Sequence, residues 1–482
     1  MPEGLTDVPP ERGTHLSGRS DPGPDSSLIP ERVALVGMGV TNRAVARALV
    51  ARGHDVVGTD DGGSAGAELA EELGFEFFAQ PDAPTLAGVL GRSGAYVATP
   101  GLADSHPVFE LARELQIPGL SEFDLAAAWD QRALLAVTGT NGKTTVAMLT
   151  EAMLERCGIA TEAVGNLDVP LVNAIDDPRP SCFVVEASSF RLARSAHFSP
   201  RVGTWLNFSP DHLDVHRDLQ AYRRAKERIW LEQDPGSTAV HNSEDPIVSA
   251  AAAEIVAGRD GVRSLSFALA SSVEGRTVDF HESGGVLFGP DGTELLGVSD
   301  LWSNLPHDRR NVLAAAATAW AGGAEPEGIA QAAAEFSGLP HRVQLVGESD
   351  GVRFFDDSKA TTPHATLSAL EGFDRVVLIA GGRNKGLDLS EMHSAENVVA
   401  VVGIGEAAGD VLAGFGRVPA EEADSMAVAV RRAADLAVGG DVVLLSPGCA
   451  SFDWYGSYGE RGDDFASEVR NLVADGERRS RS

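Results

Sequence analysis

Three separate stretches of this chain each build an apolar run, break it at glycine and resume with helical periodicity. A strand–glycine turn–helix unit buries its strand only inside a parallel sheet covered by helices, so three restarts commit the chain to three α/β layers. The first begins Arg32-Val-Ala-Leu-Val, turns through Gly37-Met-Gly39-Val40-Thr41-Asn42 and continues as a helix over Ala44–Arg52. A strand ending at Asp60 and a short one running to Gly101 follow it. The second is Ala133–Val137, then Thr138-Gly139-Thr140-Asn141-Gly142-Lys143-Thr144-Thr145 and a helix to about Cys157. The third is Val376–Ala380, then Gly381-Gly382-Arg383-Asn384-Lys385, with later strands near Val399–Val402 and Asp441–Leu445. At 482 residues the chain exceeds what one core organises, and connections near 121 and 338 divide it into 31–121, 122–338 and 339–482. Residues 1–30, rich in Pro, Gly, Ser and charge, are expected to be a disordered extension, neither signal peptide nor anchor.

Composition removes several function classes. A net charge of −31 argues against a general nucleic-acid binder. No apolar run is long enough to span a bilayer, so no membrane partner is expected. Three cysteines, Cys157, Cys182 and Cys449, lack metal spacing and suit a reducing cytoplasm. Of 39 basic residues only four are lysine: Lys143, Lys226, Lys359 and Lys385. Where a generic cation suffices this chain uses arginine, so each lysine marks a place where a guanidinium does not substitute.

The glycine loop Gly139–Thr145 leaves a buried strand and enters a helix, which aims backbone N–H groups and the helix N-terminus at an anion. Lys143 would reach the β- and γ-phosphates of a nucleotide and Thr144 would ligate Mg²⁺. The usual pattern has glycine where Val137 stands, so this is a variant loop. The run Cys182-Phe-Val-Val delivers Glu186 to a strand end beside that loop, where a nucleotide enzyme holds its metal. His212 and His216 stand four apart after Asn207-Phe-Ser-Pro-Asp211, a spacing that could suggest zinc. No third zinc ligand follows, and oxygen-ligated Mg²⁺ fits phosphate chemistry better, with His216 the structural member of the pair. Lys226 sits on a helix among Arg223, Arg224 and Arg228. It is either a solvated lysine or an amine with its own chemistry, such as CO₂ addition to give a carbamate that can ligate metal. Asn311 opens an Ala-rich helix and could reach nucleobase or phosphate, while Arg342 could clamp a γ-phosphate at a domain seam. Asp356-Asp357-Ser358-Lys359-Ala360-Thr361, Lys385, Ser451 and Tyr458 together describe an anion-binding face on the last unit.

This ordered series resembles the Mur ligase superfamily across 31–474. The carriers are Gly-Thr-Asn-Gly-Lys143-Thr-Thr, Glu186-Ala-Ser-Ser, Asn207 through Asp214, Ala225-Lys226, Gly-Leu-Pro-His-Arg342 and Asp357-Ser-Lys-Ala-Thr361. Gly37-Met-Gly-Val-Thr41, Gly-Gly-x-x-Lys385 and Ser-Pro-x-x-Ala-Ser451-x-Asp are similar to the members that add D-glutamate to UDP-N-acetylmuramoyl-L-alanine. The resemblance implies a Rossmann-like UDP-binding domain, a central P-loop-type ATPase domain and a C-terminal Rossmann-like domain. It also implies a monomeric cytoplasmic ATP-dependent amide ligase of peptidoglycan precursor synthesis, working through an acyl phosphate and a tetrahedral intermediate. Two Mg²⁺ ions are implied, one on Thr144 and Glu186, the other on His212 and a carbamylated Lys226. Gly139, Thr140, Asn141, Gly142, Lys143, Thr144, Thr145, Asn311, Arg342 and Asp357 would bind ATP, with Lys143, His212 and Lys226 catalytic. Val40, Thr41, Asp60, Gly101 and Asn166 would hold the UDP-sugar, and Thr361, Lys385, Ser451 and Tyr458 the D-glutamate. Asp308 stands where the family usually has Asn, and Tyr458 where Phe is familiar.

Competing readings are weaker. An NAD-dependent oxidoreductase would use Gly37-x-Gly39 and Asp60, but Asn42 stands where the third glycine belongs and the phosphate loop is left unexplained. A non-catalytic paralogue should have lost Glu186, His212 and Lys226, all of which remain. Another muramyl ligase or a folylpolyglutamate synthase-like ligase is the nearest alternative.

Overall fold

The computed structural model describes residues 28–62, 65–167, 169–213 and 215–480. The extension expected over 1–30 therefore lies almost wholly outside the described residues, and Asp214 lies outside them too.

Each restart becomes one parallel sheet. In the first, strands Arg32–Val36, Asp55–Asp60, Glu76–Ala79 and Ala95–Ala98 lie in the spatial order third, second, first, fourth. In the central sheet Ala133–Thr138 sits between Cys182–Glu186 and Val202–Trp205, with Thr161–Gly165 at one edge and Thr238–Asn242 and Arg263–Phe267 at the other. The C-terminal sheet centres on Val442–Leu445 between Val352–Asp356 and Val376–Gly381, flanked by Val398–Ile404 and Ala420–Ala423, with Gln344–Ser349 as an antiparallel edge. Cys182–Glu186 and Val376–Gly381 are buried at every residue, as strands covered by helices on both faces must be. Small antiparallel sheets between 272 and 297 were not anticipated from the sequence.

Because the central strands are parallel, their C-terminal ends share one edge. Val137 is level with Glu186 and Thr138 with Trp205, so the loops leaving these strands converge. The first helix starts at Val40 instead of Ala44 and runs to Ala51. Thr41 and Asn42 look like turn residues in sequence, yet both are buried. The Asn42 NH₂ shares its two hydrogens among the carbonyls of Val36, Gly37 and Val97 at the ends of the first and fourth strands.

The apolar cores divide the molecule unevenly. Val45 and Leu49 of the first unit, Phe123 and Leu125 of helix Glu122–Trp129, and Phe183 and Trp205 of the central sheet belong to one continuous cluster. The opposite face of the central sheet packs against helices Lys143–Arg156 and Pro306–Ala321, whose alanines 314–317 are fully buried and permit close approach. The C-terminal unit has its own clusters, one around Val377, Ile379 and Phe465, the other around Leu378, Met392 and Phe415. Position 121 is the capping-box serine of helix Glu122–Trp129, within the shared region, whereas 338 is a left-handed glycine in a loop. Among the described residues no helix is long and apolar enough to cross a membrane.

Candidate active site

The loop between strand Ala133–Thr138 and helix Lys143–Arg156 is rigidly built. Gly142 has φ +86°, and a Cβ there would stand 2.5 Å from Asn311 Oδ1, so backbone conformation and space both require glycine. Asn207 Oδ1 accepts the N–H groups of Thr140 (3.0 Å) and Asn141 (2.9 Å), and its amide donates to the Asn141 carbonyl (3.1 Å). Thr140 Oγ1 lies 3.2 Å from the buried Tyr222 hydroxyl. What remains free is the helix N-terminus, facing a cavity of about 690 Å³ between the central and C-terminal units.

Two lysines meet behind this loop. Lys143 Nζ donates to the carbonyls of Gly139 (2.9 Å) and Thr140 (2.8 Å), and Lys226 Nζ to Gly139 (2.6 Å). Burial lowers the Lys143 ammonium from its ordinary range. Burial, and then the Lys143 charge, hold Lys226 well below its own. Lys226 is buried on helix Leu219–Leu231, and none of the four lysines is exposed.

Glu186 closes the next strand, buried, with Oε1 accepting the Asn166 amide at 3.0 Å. Its Oε2 is buried without a hydrogen-bond partner and borders the cavity, as does Thr144. Asp211 is raised by burial, an effect offset first by Lys385 and also by Lys143 and Lys226, so three lysine side chains lie around this carboxylate. His212 has φ +55°, and its Nε2 lies 3.2 Å from Asp211 Oδ2. His216 is buried, 2.9 Å from Ser189 Oγ and stacked on Phe190, the structural role expected of it. Among the described residues no group of three or more His, Cys, Asp or Glu is arranged to hold a metal unaided.

Across the cavity, Asp357 accepts from Ser446 Oγ (2.7 Å) and the Val343 N–H, and burial raises its carboxyl to about 7. Lys359 reaches over the seam instead of staying on the C-terminal anion face. Its Nζ lies 3.4 Å from Thr144 Oγ1 and 5.2 Å from the Tyr458 ring centre, and burial, then Arg342, lower it to about 8. His364 Nδ1 lies 2.9 Å from the Asn141 amide.

The structure thus brings Thr140, Asn141, Gly142, Lys143, Thr144, Asn166, Glu186, His212, Asn311, Arg342, Asp357, Thr361 and Tyr458 to one cavity. Gly139, Thr145, Lys226, Lys385 and Ser451 do not line it; Ser451 is buried, and Lys226 sits behind the loop it braces. Val40, Thr41, Asp60 and Gly101 belong to the first unit. Val40 is exposed, and Asp60 shapes the glycine turn by accepting from the N–H groups of Met38 (2.5 Å) and Gly62 (2.7 Å).

Comparison with known proteins identifies this architecture. The Mur ligase middle domain matches residues 137–319, and the Mur ligase glutamate ligase domain matches 341–449. The UDP-N-acetylmuramoylalanine–D-glutamate ligase of Frankia casuarinae is 40% identical over 455 residues, spanning 91% of this chain and 93% of that protein. The chain belongs to the Mur ligase family. The ligase of the same name from Desulfosudis oleivorans is 38% identical over 454 residues, spanning 92% of this chain and 96% of that protein. Among solved structures, a pseudomurein peptide ligase type C from Methanothermus fervidus shares the fold at TM-score 0.57 and 15% identity, covering 92% of this chain and 100% of that one. The UDP-N-acetylmuramate-alanine ligase of Thermotoga maritima does so at TM-score 0.54 and 18% identity, covering 92% and 99%.

Two residues of this Mur ligase site, His364 and Arg310, have no role in the sequence analysis: His364 contacts the loop from the C-terminal unit, and Arg310 spans the seam from Glu244 (2.9 Å) to Glu371 (3.4 Å). Asn207, known there only as part of a motif, orients the loop, and Lys359, marked by lysine scarcity, contacts it from the C-terminal unit. Arg310, one of many arginines, had no such mark. Asp308, in place of the familial Asn, borders the cavity with its Oδ1 3.5 Å from His307 Nε2.

Proposed function

We propose that this Mur ligase joins D-glutamate to the carboxylate of UDP-N-acetylmuramoyl-L-alanine using ATP, in the cytoplasm and as a monomer. The observation that carries this reading is near-full-length likeness at 40% identity to a ligase named for that reaction. Domains at 31–121, 122–338 and 339–482 would bind the UDP-sugar, ATP and D-glutamate respectively.

In this reading the substrate carboxylate attacks the γ-phosphorus of ATP and ADP departs. The D-glutamate amine then adds to the acyl phosphate, and the tetrahedral intermediate expels phosphate to leave the amide. Lys143, released from the Gly139 and Thr140 carbonyls it now serves, and the amides of the 139–145 loop not held by Asn207 stabilise charge on the transferring phosphoryl group. Asn311, Arg342 and Asp357 position the nucleotide, and Thr361, Tyr458, Lys385 and Ser451 receive D-glutamate.

The site fits Mg²⁺ on two counts. Glu186 Oε2 is an orphaned buried oxygen, and its residue lines the same cavity as Thr144, so the wall offers two hard oxygen donors. The cavity wall also carries seven carboxylates against four lysine and arginine side chains, so a polyphosphate needs added cations to enter. Mg²⁺ bound there would polarise phosphoryl oxygens. A second ion on His212 and carbamylated Lys226 agrees with the buried, proton-poor amine, since the neutral form reacts with CO₂.

Phosphate release measured with UDP-N-acetylmuramoyl-L-alanine and each candidate amino acid tests the assignment. D-Glutamate should support turnover; release with L-alanine or diaminopimelate but not D-glutamate rejects it.

A further inference from the structure

Arg191 occupies a position that the reaction scheme above leaves unused. It lies on the short helix Ser189–Arg194, only 7% exposed, and its guanidinium serves three segments at once. Nη2 donates to Thr41 Oγ1 (2.9 Å) on the first helix of the N-terminal unit. Nη1 donates to Asn166 Oδ1 (2.8 Å), and Nε to Glu122 Oε2 (2.9 Å) on the helix joining the units. Glu122 is itself buried, and its Oε1 accepts the Leu171 N–H at 2.5 Å, so the ion pair is anchored in the shared core.

The donor and acceptor sense of this chain of bonds matters. A guanidinium only donates, so it fixes Asn166 with its carbonyl oxygen toward Arg191 and its NH₂ toward Glu186. That NH₂ holds Glu186 Oε1 at 3.0 Å and leaves Oε2, the orphaned oxygen, directed to the cavity. At the other end, Thr41 Oγ1 is engaged as an acceptor, so its own hydrogen is left to donate to a ligand. One rigid fork therefore connects the start of the first helix, just after the glycine turn, to the carboxylate beside the phosphate loop.

We infer that Arg191 is a positioning residue coupling occupancy of the UDP-substrate site at Thr41 to the affinity of the Mg–nucleotide site at Glu186. The inference rests on the functional reading above. A ligand that orders Thr41 orders Arg191, Asn166 and Glu186 with it, and by linkage a nucleotide site so ordered binds more tightly.

Titration calorimetry tests this with magnesium and a non-hydrolysable ATP analogue, with and without saturating UDP-N-acetylmuramoyl-L-alanine. In the wild type the substrate should tighten nucleotide binding by about fivefold or more. The double variant Arg191→Met/Glu122→Gln removes the fork without leaving a buried unpaired charge. Arg191→Lys keeps a cation beside Glu122 but loses the planar fork that reaches Thr41 and Asn166 together. Both should bind the nucleotide alone as the wild type does, with the tightening reduced to a ratio of about one. A ratio unchanged in both variants, absence of tightening in the wild type, or loss of nucleotide binding alone overturns the coupling role. Failure of the wild type to bind the UDP-substrate at all overturns the functional reading, and this inference with it.

Discussion

Lys226 and Asp357 are both held away from their ordinary protonation behaviour by burial, with opposite chemical consequences. For the lysine, burial favours the neutral amine, the form that adds CO₂, a reaction arginine cannot imitate. Lys226→Ala should abolish ligase activity, and added short carboxylic acids should restore part of it by supplying the missing oxygens. Full activity in the variant without additive would exclude the carbamate role. For Asp357 the raised value, about 7 against an ordinary 3.8, makes protonation favourable in the folded state. The native chain then binds the proton that the unfolded chain releases, so stability is full below about 4 and falls as pH rises through about 7. Asp357→Asn removes that loss. Its melting temperature relative to wild type should climb between pH 4 and pH 8, and a flat difference would refute the shift.

At the scale of elements, the phosphate loop is where local geometry is least negotiable. Gly142→Ala places a side chain at φ +86° and against Asn311, a cost of roughly 1–2 kcal/mol. Urea unfolding should register it, and nucleotide titration should weaken in parallel because the helix N-terminus is displaced. This loop was legible in the sequence because its chemistry is contiguous: buried strand, glycine turn, lysine and hydroxyls follow one another. The sheets were legible for the same reason, since runs such as Cys182–Glu186 announce burial on both faces. The first helix was misplaced because the Asn42 side chain shares its NH₂ among three carbonyls, which no local pattern reveals. Arg191 was invisible for a related reason. Its partners lie 25, 69 and 150 residues away, and one arginine among many carries no mark.

By their apolar cores the described residues divide into two bodies, built around three large sheets. One apolar cluster runs through the first two units, while the C-terminal unit has its own cores and meets the rest at the seam through contacts such as Asn141–His364 and Lys359–Thr144. Calorimetry should accordingly resolve two unfolding transitions. Val377→Ala, costing about 2 kcal/mol, should lower only one of them, and Val45→Ala only the other. A single transition moved by both substitutions would show the bodies to be thermodynamically fused. The rarity and burial of lysine carry a practical corollary. Lys143 and Lys359 line the cleft, Lys226 is buried behind its phosphate loop, and Lys385 is half-buried near Asp211. An amine-directed acylating or cross-linking reagent, which decorates most proteins indiscriminately, would here find lysines chiefly in and around the cleft. Its rate of uptake would then serve as a clock for how often the cleft opens, slowing as ligands fill it.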